Sequence, residues 1–318
     1  MKHDQIEWAQ EFLIQKGYEI TATHQMIRSM PWSEVICFPT TQGKIYLKSM
    51  AKDFANEAVL LSFLSSIGIK HLVQILGIRE DEHCFLMRDA GSPMRDILKI
   101  EFNLLVPSQA IKIYADIQLA CVIYVDTLLK INMNDWRIKQ LVNLYIPLIE
   151  NLESLMLDGL ENSDIKKLRS LKDKFESLCK KLSYFGIPET LEHGDFHDNN
   201  ILSNDGIIAI SDFGDATVSH PFFSMCAYLR SLEENHDIGL EDQRSLILKN
   251  VYLKKWSTYQ SHEKLLDAFN IAYALRPFVF CLNFIRVTRC SGLEKYPQYK
   301  MHLIESMKTL IKSISEYQ

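Results

Sequence analysis

The stretch HGDFHDNNIL, residues 193–202, puts two imidazoles, two carboxylates and two amides next to each other, and SDFGDA follows at 211–216. Asp195, Asn200 and Asp212 are the residues whose types and spacing suit chemistry. Two oxygen ligands at neighbouring strand ends suit a hard divalent cation. Mg²⁺ in particular is held by one or two protein oxygens together with phosphate oxygens. A further carboxylate a few ångströms away can take a proton from a hydroxyl. Metal clamp, base and positioning are the equipment of phosphoryl transfer. That reaction also needs a cation on the phosphates that stay behind, and Lys48 in KIYLKS is the candidate. On a strand Lys48 shares a side with Tyr46 and Lys44. A lysine in a cleft needs a carboxylate to fix it, and Glu57, early on the helix that follows, is placed to do so.

The elements that must position these residues are legible in outline. Residues 4–16 carry Ile6, Ala9, Phe12 and Leu13 at helical spacing, stopped by Gly17. SEVICFP and KIYLKSM flank TTQG and predict a hairpin. DFANEAVLLSFLSSIG predicts a helix, and HLVQILGI with HCFLMR a second hairpin around REDE. Residues 1–90 thus read as an α+β lobe with an antiparallel sheet. DAGSP at 89–93 breaks the pattern and marks a boundary. Residues 91–318 read as a larger, mainly helical lobe. Its long helices are SQAIKIYADIQLACVIYVDTLL, RIKQLVNLYIPLIENLESLM and SDIKKLRSLKDKFESLCKKL. The clear strand signals in this lobe are NILS and IIAISDF around the turn NDG. One hairpin therefore carries HGDFHDNN at its entrance and SDFGDA at its exit, bringing both polar sets to one end.

HGDFHDNN fits the H-x-D-x-x-x-x-N catalytic loop and SDFG the D-F-G metal motif of the protein-kinase-like superfamily. Gly194, where protein kinases carry Arg, makes the chain resemble the aminoglycoside phosphotransferase and choline kinase-like branch. The resemblance runs in order through Lys48, Glu57, hinge, catalytic loop, metal motif and helical tail. It implies a bilobal kinase-like fold, with residues 1–90 binding nucleotide and residues 91–318 holding the catalytic loop and acceptor site. It implies Asp195 as catalytic base, Asn200 and Asp212 as ligands of Mg²⁺, and Lys48, paired with Glu57, on the phosphates of ATP or GTP. Met87 becomes the gatekeeper beside the base, the backbone of Arg88 and Ala90 meets its edge, and His193 is a scaffold residue. His197, Asp198 and Asp215 are candidates for acceptor contact. Two departures stand out. IRSMPWSEV occupies the place of a glycine-rich loop, so Ser29, Ser33 or their backbone must cradle the phosphates. Aminoglycoside enzymes often carry an Asp in the helix after the metal motif, and here Ser224 lies near that position.

Glu192, Asp198, Asp215, Glu233 and Glu234 give an acidic bias that favours a cationic acceptor, an aminoglycoside or other amino-containing alcohol. The leading reading is a small-molecule kinase. A nucleotide-binding pseudokinase and a protein kinase are the alternatives, the latter opposed by the missing A-P-E after D-F-G. A net charge of −5 opposes a nucleic-acid binder held by phosphate contacts. Seven scattered cysteines without C-x-x-C fit buried thiols in a reducing cytoplasm. The charged start MKHDQIEWAQEFL lacks the apolar core of a signal peptide, and NIAYALRPFVFCLNFI is interrupted by Arg276 and Pro277. The expectation is a cytoplasmic protein with no membrane or nucleic-acid partner, its oligomeric state open. Trp32 is expected in core or lid packing.

Overall fold

The computed structural model describes residues 2–154, 159–290 and 296–317. Helix α1 (His3–Gln15) lays Ala9 and Leu13 on the outer face of a five-stranded antiparallel sheet. The strands are β1 (Gln25–Met30), β2 (Ser33–Thr40), β3 (Gly43–Met50), β4 (Ile75–Arg79) and β5 (Cys84–Arg88), in spatial order β1-β2-β3-β5-β4. Side chains alternate between the two faces of a strand. On β3, Ile45 and Leu47 join the cluster under α1, while Met50 joins the larger core on the opposite face. Lys48, in phase with Met50, is thereby committed to the cleft side, opposite Phe85 of β5. Both expected hairpins form, β2–β3 closing at Thr40↔Gly43 and β4–β5 through a 3₁₀ turn at Glu80–Glu82.

Strand β1 lies outside the sequence reading, which has a helix and two hairpins in this region. Almost all of QMIRSM is exposed, so it has no buried face to impose an alternating pattern. The expected helix from residue 53 divides into a 3₁₀ turn (Lys52–Phe54) and α2 (Glu57–Ser66), which starts at the predicted ion-pair carboxylate.

The rest is mainly helical: α3 (Met94–Ile100), α4 (Leu105–Cys121), α5 (Val125–Lys130), α6 (Ile138–Ser154), α7 (Asn162–Ser170), α8 (Lys172–Tyr184), α9 (Phe222–His236), α10 (Gln243–Lys255), α11 (His262–Thr288) and α12 (Pro297–Glu316). Two predicted helices divide. Residues 108–129 break at a 3₁₀ turn, Val122–Tyr124, where Tyr124 packs edge-on against Phe63 of α2. Residues 163–182 break at Leu171, between α7 and α8. Neither junction contains Gly or Pro, so no local signal announces it. The predicted ends of α6 at Leu155 and Met156 lie outside the described residues.

Six short strands accompany these helices. β6 (Ser92–Pro93), β9 (Ile201–Asn204) and β10 (Ile207–Ile210) form one sheet, ordered β10-β9-β6. β7 (Asn134–Asp135), β8 (Thr190–Glu192) and β11 (Thr217–Ser219) form another, ordered β7-β11-β8. The hairpin read from NILS and IIAISDF is present as β9–β10, with Ile201 opposite Ile210. The other strands, two or three residues each, are too short for an alternating pattern and escape the sequence reading. The DAGSP boundary docks on β9: Gly91 has φ +102°, and a Cβ there would stand 2.1 Å from the Ser203 carbonyl oxygen.

One core runs from α2 through the helical part without interruption. All seven cysteines are free and six are buried. Helix α11 is long and apolar enough to cross a membrane by length and composition, yet 67% of its most apolar window is buried within the protein.

Candidate active site

The sheet and the helical part meet over Lys48. Its ammonium lies 2.6 Å from Glu57 Oε2 and 2.6 Å from Asp212 Oδ1. Glu57 also accepts from the Phe213 N–H at 3.2 Å, so α2, β3 and the metal motif are joined by one carboxylate. Burial disfavours charge on Lys48, but Asp212 and Glu57 outweigh it and hold the ammonium above its ordinary range. Burial pushes Glu57 upward against the pull of Lys48, whereas Asp212 is held down by Lys48 in spite of its enclosure. Asp212 takes a left-handed backbone, φ +61°, a conformation Asp tolerates better than most residues. Arg28 of β1 stands 3.8 Å from Asp212 Oδ2.

The loop HGDFHDNN, the catalytic-loop candidate, hangs between β8 and β9. His193 is fully buried; its Nε2 meets the Ser211 carbonyl at 2.9 Å and its Nδ1 accepts from the Asp195 N–H at 3.3 Å. Burial lowers His193 to about 4, which keeps the ring neutral. That is the scaffold role the resemblance implies. Gly194 has φ +81°, and a Cβ there would stand 2.3 Å from the Asp215 carbonyl oxygen. The H-G-D spelling thus follows from close approach between the catalytic loop and the end of the metal motif.

Asp195 Oδ2 lies 3.2 Å from His197 Nε2 and accepts from the Asn200 amide at 3.2 Å. Asn200 Nδ2 also donates to the Asp195 carbonyl at 2.9 Å, so its own side-chain oxygen is the end left for a cation. Enclosure would raise Asp195, but His197, His193 and Arg276 outweigh it and hold the carboxylate below its ordinary range. His197 is correspondingly raised by Asp195 against the effect of burial. Asn200 and Asp212 offer an amide and a carboxylate oxygen, the hard donors Mg²⁺ takes alongside phosphate. Among the described residues no cluster of three or more His, Cys, Asp or Glu is placed to hold a metal ion by itself.

Two cavities meet at Asp195. A small one, about 50 Å³, is lined by Lys48, Glu57, Asp212 and Ser33 among others; a larger one, about 460 Å³, opens between α9, α11 and α12. Asp195, Asp215, Arg28 and Trp32 line both. Burial pushes Asp215 up to about 7, with Arg286 pulling back and Asp195 and Asp212 adding to the rise. Trp32 packs edge-on against Tyr299 of α12, at 4.7 Å between ring centroids. Ser29 turns away and donates to Glu34 at 3.0 Å.

Met87, Arg88 and Ala90 lie half-buried at the end of β5 and in the hinge. The Arg88 N–H is used by the Gln74 carbonyl at 2.9 Å, and its guanidinium by the Tyr18 hydroxyl at 2.6 Å. Asp198 is fully buried beneath the larger cavity, where Arg95 and Ser231 donate to Oδ1 and His236 Nε2 meets Oδ2 at 2.5 Å. Of the acidic residues that suggested a cationic acceptor, Asp215 and Glu234 line the larger cavity. Glu192 is buried and accepts from Ser224 and Thr217, and Glu233 is exposed. Ser224 also bonds the Tyr114 hydroxyl and the His193 N–H, which makes it part of the loop's foundation.

Sequence reasoning missed Arg28, Arg95, Arg230, Arg276 and Arg286. All but Arg286 line the larger cavity. Arg286 of α11 binds the carbonyls of Asp53 and Gly214, lies 3.5 Å from Asp215, and stacks 4.4 Å over the Phe54 ring. Arg276 and Arg286 sit in an apolar run, NIAYALRPFVFCLNFIR, where a charge has to be enclosed; that was the available signal.

Residues 131–244 match the model of APH, the phosphotransferase enzyme family. The chain is similar in fold to the choline kinase LicA from Streptococcus pneumoniae, at 15% identity and TM-score 0.62, covering 99% of this chain and 100% of that one. It is similar to a Plasmodium vivax ethanolamine kinase at 15% identity and TM-score 0.61, covering 92% and 83%. It is similar also to the amicoumacin kinase hAmiN, solved with AMP-PNP, Ca²⁺ and Ami, at 13% identity and TM-score 0.62, covering 100% and 98%. No curated protein matches the chain. The resemblance read from the motifs therefore stands: the chain carries this family's match and has the kinase-like fold of these small-molecule phosphotransferases.

Proposed function

We propose that this chain is a soluble, cytoplasmic small-molecule kinase that moves the γ-phosphate of ATP or GTP to a hydroxyl group. The observation that carries this is the position of Asp195, which lines both cavities at once. The smaller cavity holds the cation and carboxylate suited to a nucleotide's phosphates, and the larger has the volume of a metabolite pocket. In this reading residues 1–90 bind nucleotide and residues 91–318 bind the acceptor.

Asp195 stays ionised at neutral pH, so it accepts a hydrogen bond from the acceptor hydroxyl and orients a lone pair of that oxygen toward the γ-phosphorus. As the new P–O bond forms, the bond from the γ-phosphorus to the β,γ-bridging oxygen breaks, and the hydroxyl proton passes to Asp195. The products are the nucleoside diphosphate and the phosphorylated acceptor. Such a transition state is loose, so positioning matters more than base strength. Lys48, fixed by Glu57, holds the phosphates that remain on the nucleotide. Ser33 and Arg28 take the place of the glycine-rich loop, and Met87, Arg88 and Ala90 border the base. Asn200 and Asp212 hold Mg²⁺, which when bound neutralises phosphate charge. The connection from the metal motif to α9 at Phe222 is short, which supports a small acceptor over a peptide.

The test compares wild type with Asp195→Ala for Mg²⁺-dependent ATP and GTP consumption across a panel of hydroxyl acceptors, with thermal shift by Mg-nucleotide alongside. Acceptor-stimulated turnover that the variant lacks is the expected result. Nucleotide stabilisation with no turnover for any acceptor favours the silent nucleotide-binding module. Absence of both removes the nucleotide site and the proposal with it.

A further inference from the structure

The larger cavity holds four arginines, and three have a carboxylate nearby. Arg95 is bonded to Asp198, Arg230 to Glu234 at 2.7 Å, and Arg28 lies near Asp212. Arg276 differs. It is 8% exposed, lines the cavity, and its buried Nη1 has no hydrogen-bond partner. Among the described residues no carboxylate forms an ion pair with it. Glu192 and Asp195 are the acids whose fields it feels; the oxygens of Glu192 are engaged by Ser224 and Thr217, and Asp195 is engaged by His197 and Asn200. The Arg276 guanidinium lies 4.7 Å from the centroid of Phe280, and that of Arg230 lies 6.0 Å from the same ring. Two like charges therefore share one aromatic platform, and Glu234 answers one of them.

A guanidinium enclosed without a counter-ion is a strong demand for an anion, and its fork suits carboxylate or phosphate oxygens. We propose that the acceptor carries an anionic group, a carboxylate or phosphate, which Arg276 receives beside Arg230 while the acceptor's hydroxyl faces Asp195. The inference rests on the kinase reading for the hydroxyl's role, but the anion subsite stands on Arg276 alone. It replaces the cationic acceptor that the acidic bias suggested, because most of those acids point elsewhere or already have partners. Asp215 and Glu234, the two that line the cavity, face Arg286 and Arg230.

The experiment uses the full chain with Mg²⁺ and a non-hydrolysable ATP analogue. Binding of glycerate, glycerol 3-phosphate and gluconate is compared with that of ethanolamine, choline and an amino sugar by calorimetry and thermal shift. ATP consumption with each acceptor follows. The anionic compounds are expected to bind and the amines not. Arg276→Met should weaken the anions about 10- to 100-fold, the loss of a charge-assisted hydrogen bond, with partial recovery in Arg276→Lys. Arg230→Gln, on a half-exposed residue, supplies a second variant expected to weaken the same compounds if Arg276→Met does not fold. Amines binding in preference to anions would overturn the proposal, as would anions binding equally to wild type and both variants. Failure of the kinase reading shows itself separately: the nucleotide analogue then gives no shift, whether or not the anions bind.

Discussion

On the Lys48 side of Asp195 the buried ammonium is answered from within the chain by Glu57 and Asp212, and Glu57 again by the Phe213 N–H. On the side of the larger cavity Arg276 is enclosed, its Nη1 has no hydrogen-bond partner, and no carboxylate among the described residues forms an ion pair with it. The difference separates a part of the cleft that is complete before its ligand arrives from a part that its ligand must complete. A closed ion-pair circuit holds its geometry before any ligand arrives. An open cation selects, because a partner of the wrong sign leaves it buried and alone.

The two sides differ most visibly at Asp195, which lines both cavities. Asp195→Asn should cut acceptor-dependent turnover by roughly 10²- to 10⁴-fold, the usual worth of a positioned base, while nucleotide-induced stabilisation persists. Steady-state kinetics with thermal shift on the same samples checks it. Loss of nucleotide binding as well would show that the two sides are not separable.

Lys48→Met opens the closed side. It leaves the buried Glu57 carboxylate facing Asp212 with no cation between them, at a cost of about 3–5 kcal/mol. Urea unfolding of wild type and variant measures this. A change near zero would mean that the circuit is not the completed structure described here.

The catalytic loop itself predicts a dependence on acid. The buried His193 ring sits at about 4, below an unfolded value near 6.5. Between these limits the unfolded chain takes up a proton that the native ring refuses, so the contribution of His193 to stability falls as pH falls from 6.5 toward 4, while Asp215, raised to about 7, acts in the opposite direction over the same range. The contribution of His193 is roughly 3 kcal/mol over that window. His220, lowered to about 3 by burial, acts in the same direction as His193. The difference in urea midpoint between wild type and His193→Asn, followed from pH 7 to 4, isolates the ring's share, and the wild type should lose stability relative to the variant as pH falls. The smallest effect belongs to Arg286, which lies 3.5 Å from Asp215. Arg286→Lys keeps the charge near Asp215 but gives up the guanidinium's stacking on Phe54 and its bond to Gly214, about 1 kcal/mol by thermal unfolding.

How far these features were legible in the sequence follows from how local their causes are. HGDFHDNN and SDFG lie at the ends of one hairpin, so chain connectivity alone brought Asn200 and Asp212 together. Lys48 and Glu57 sit on adjacent elements whose alternation and spacing were plain. The arginines of the acceptor cavity come from β1, α3, α9 and α11, and no spacing rule relates positions so far apart in the chain. The acidic bias was a weak signal because a tally of charges near a motif does not show which side chains already have partners. Asp198 reads as a cleft acid and is in fact the buried anchor of Arg95 and His236. The small strands β6, β7, β8 and β11 escaped for another reason: at two or three residues their pairing is decided by what lies beside them.

Gly194 sets an order on the mutational routes open to this chain. The room a side chain would need at that position is taken by the backbone of Asp215. Replacing the glycine first puts a side chain into that carbonyl and loses the loop. Moving the 215 segment first frees the position and costs one of the two carboxylates that line both cavities. A lineage leaving the H-G-D form has to remodel the far end of the metal motif before the near end can change, and every intermediate must still be tolerated by the cell.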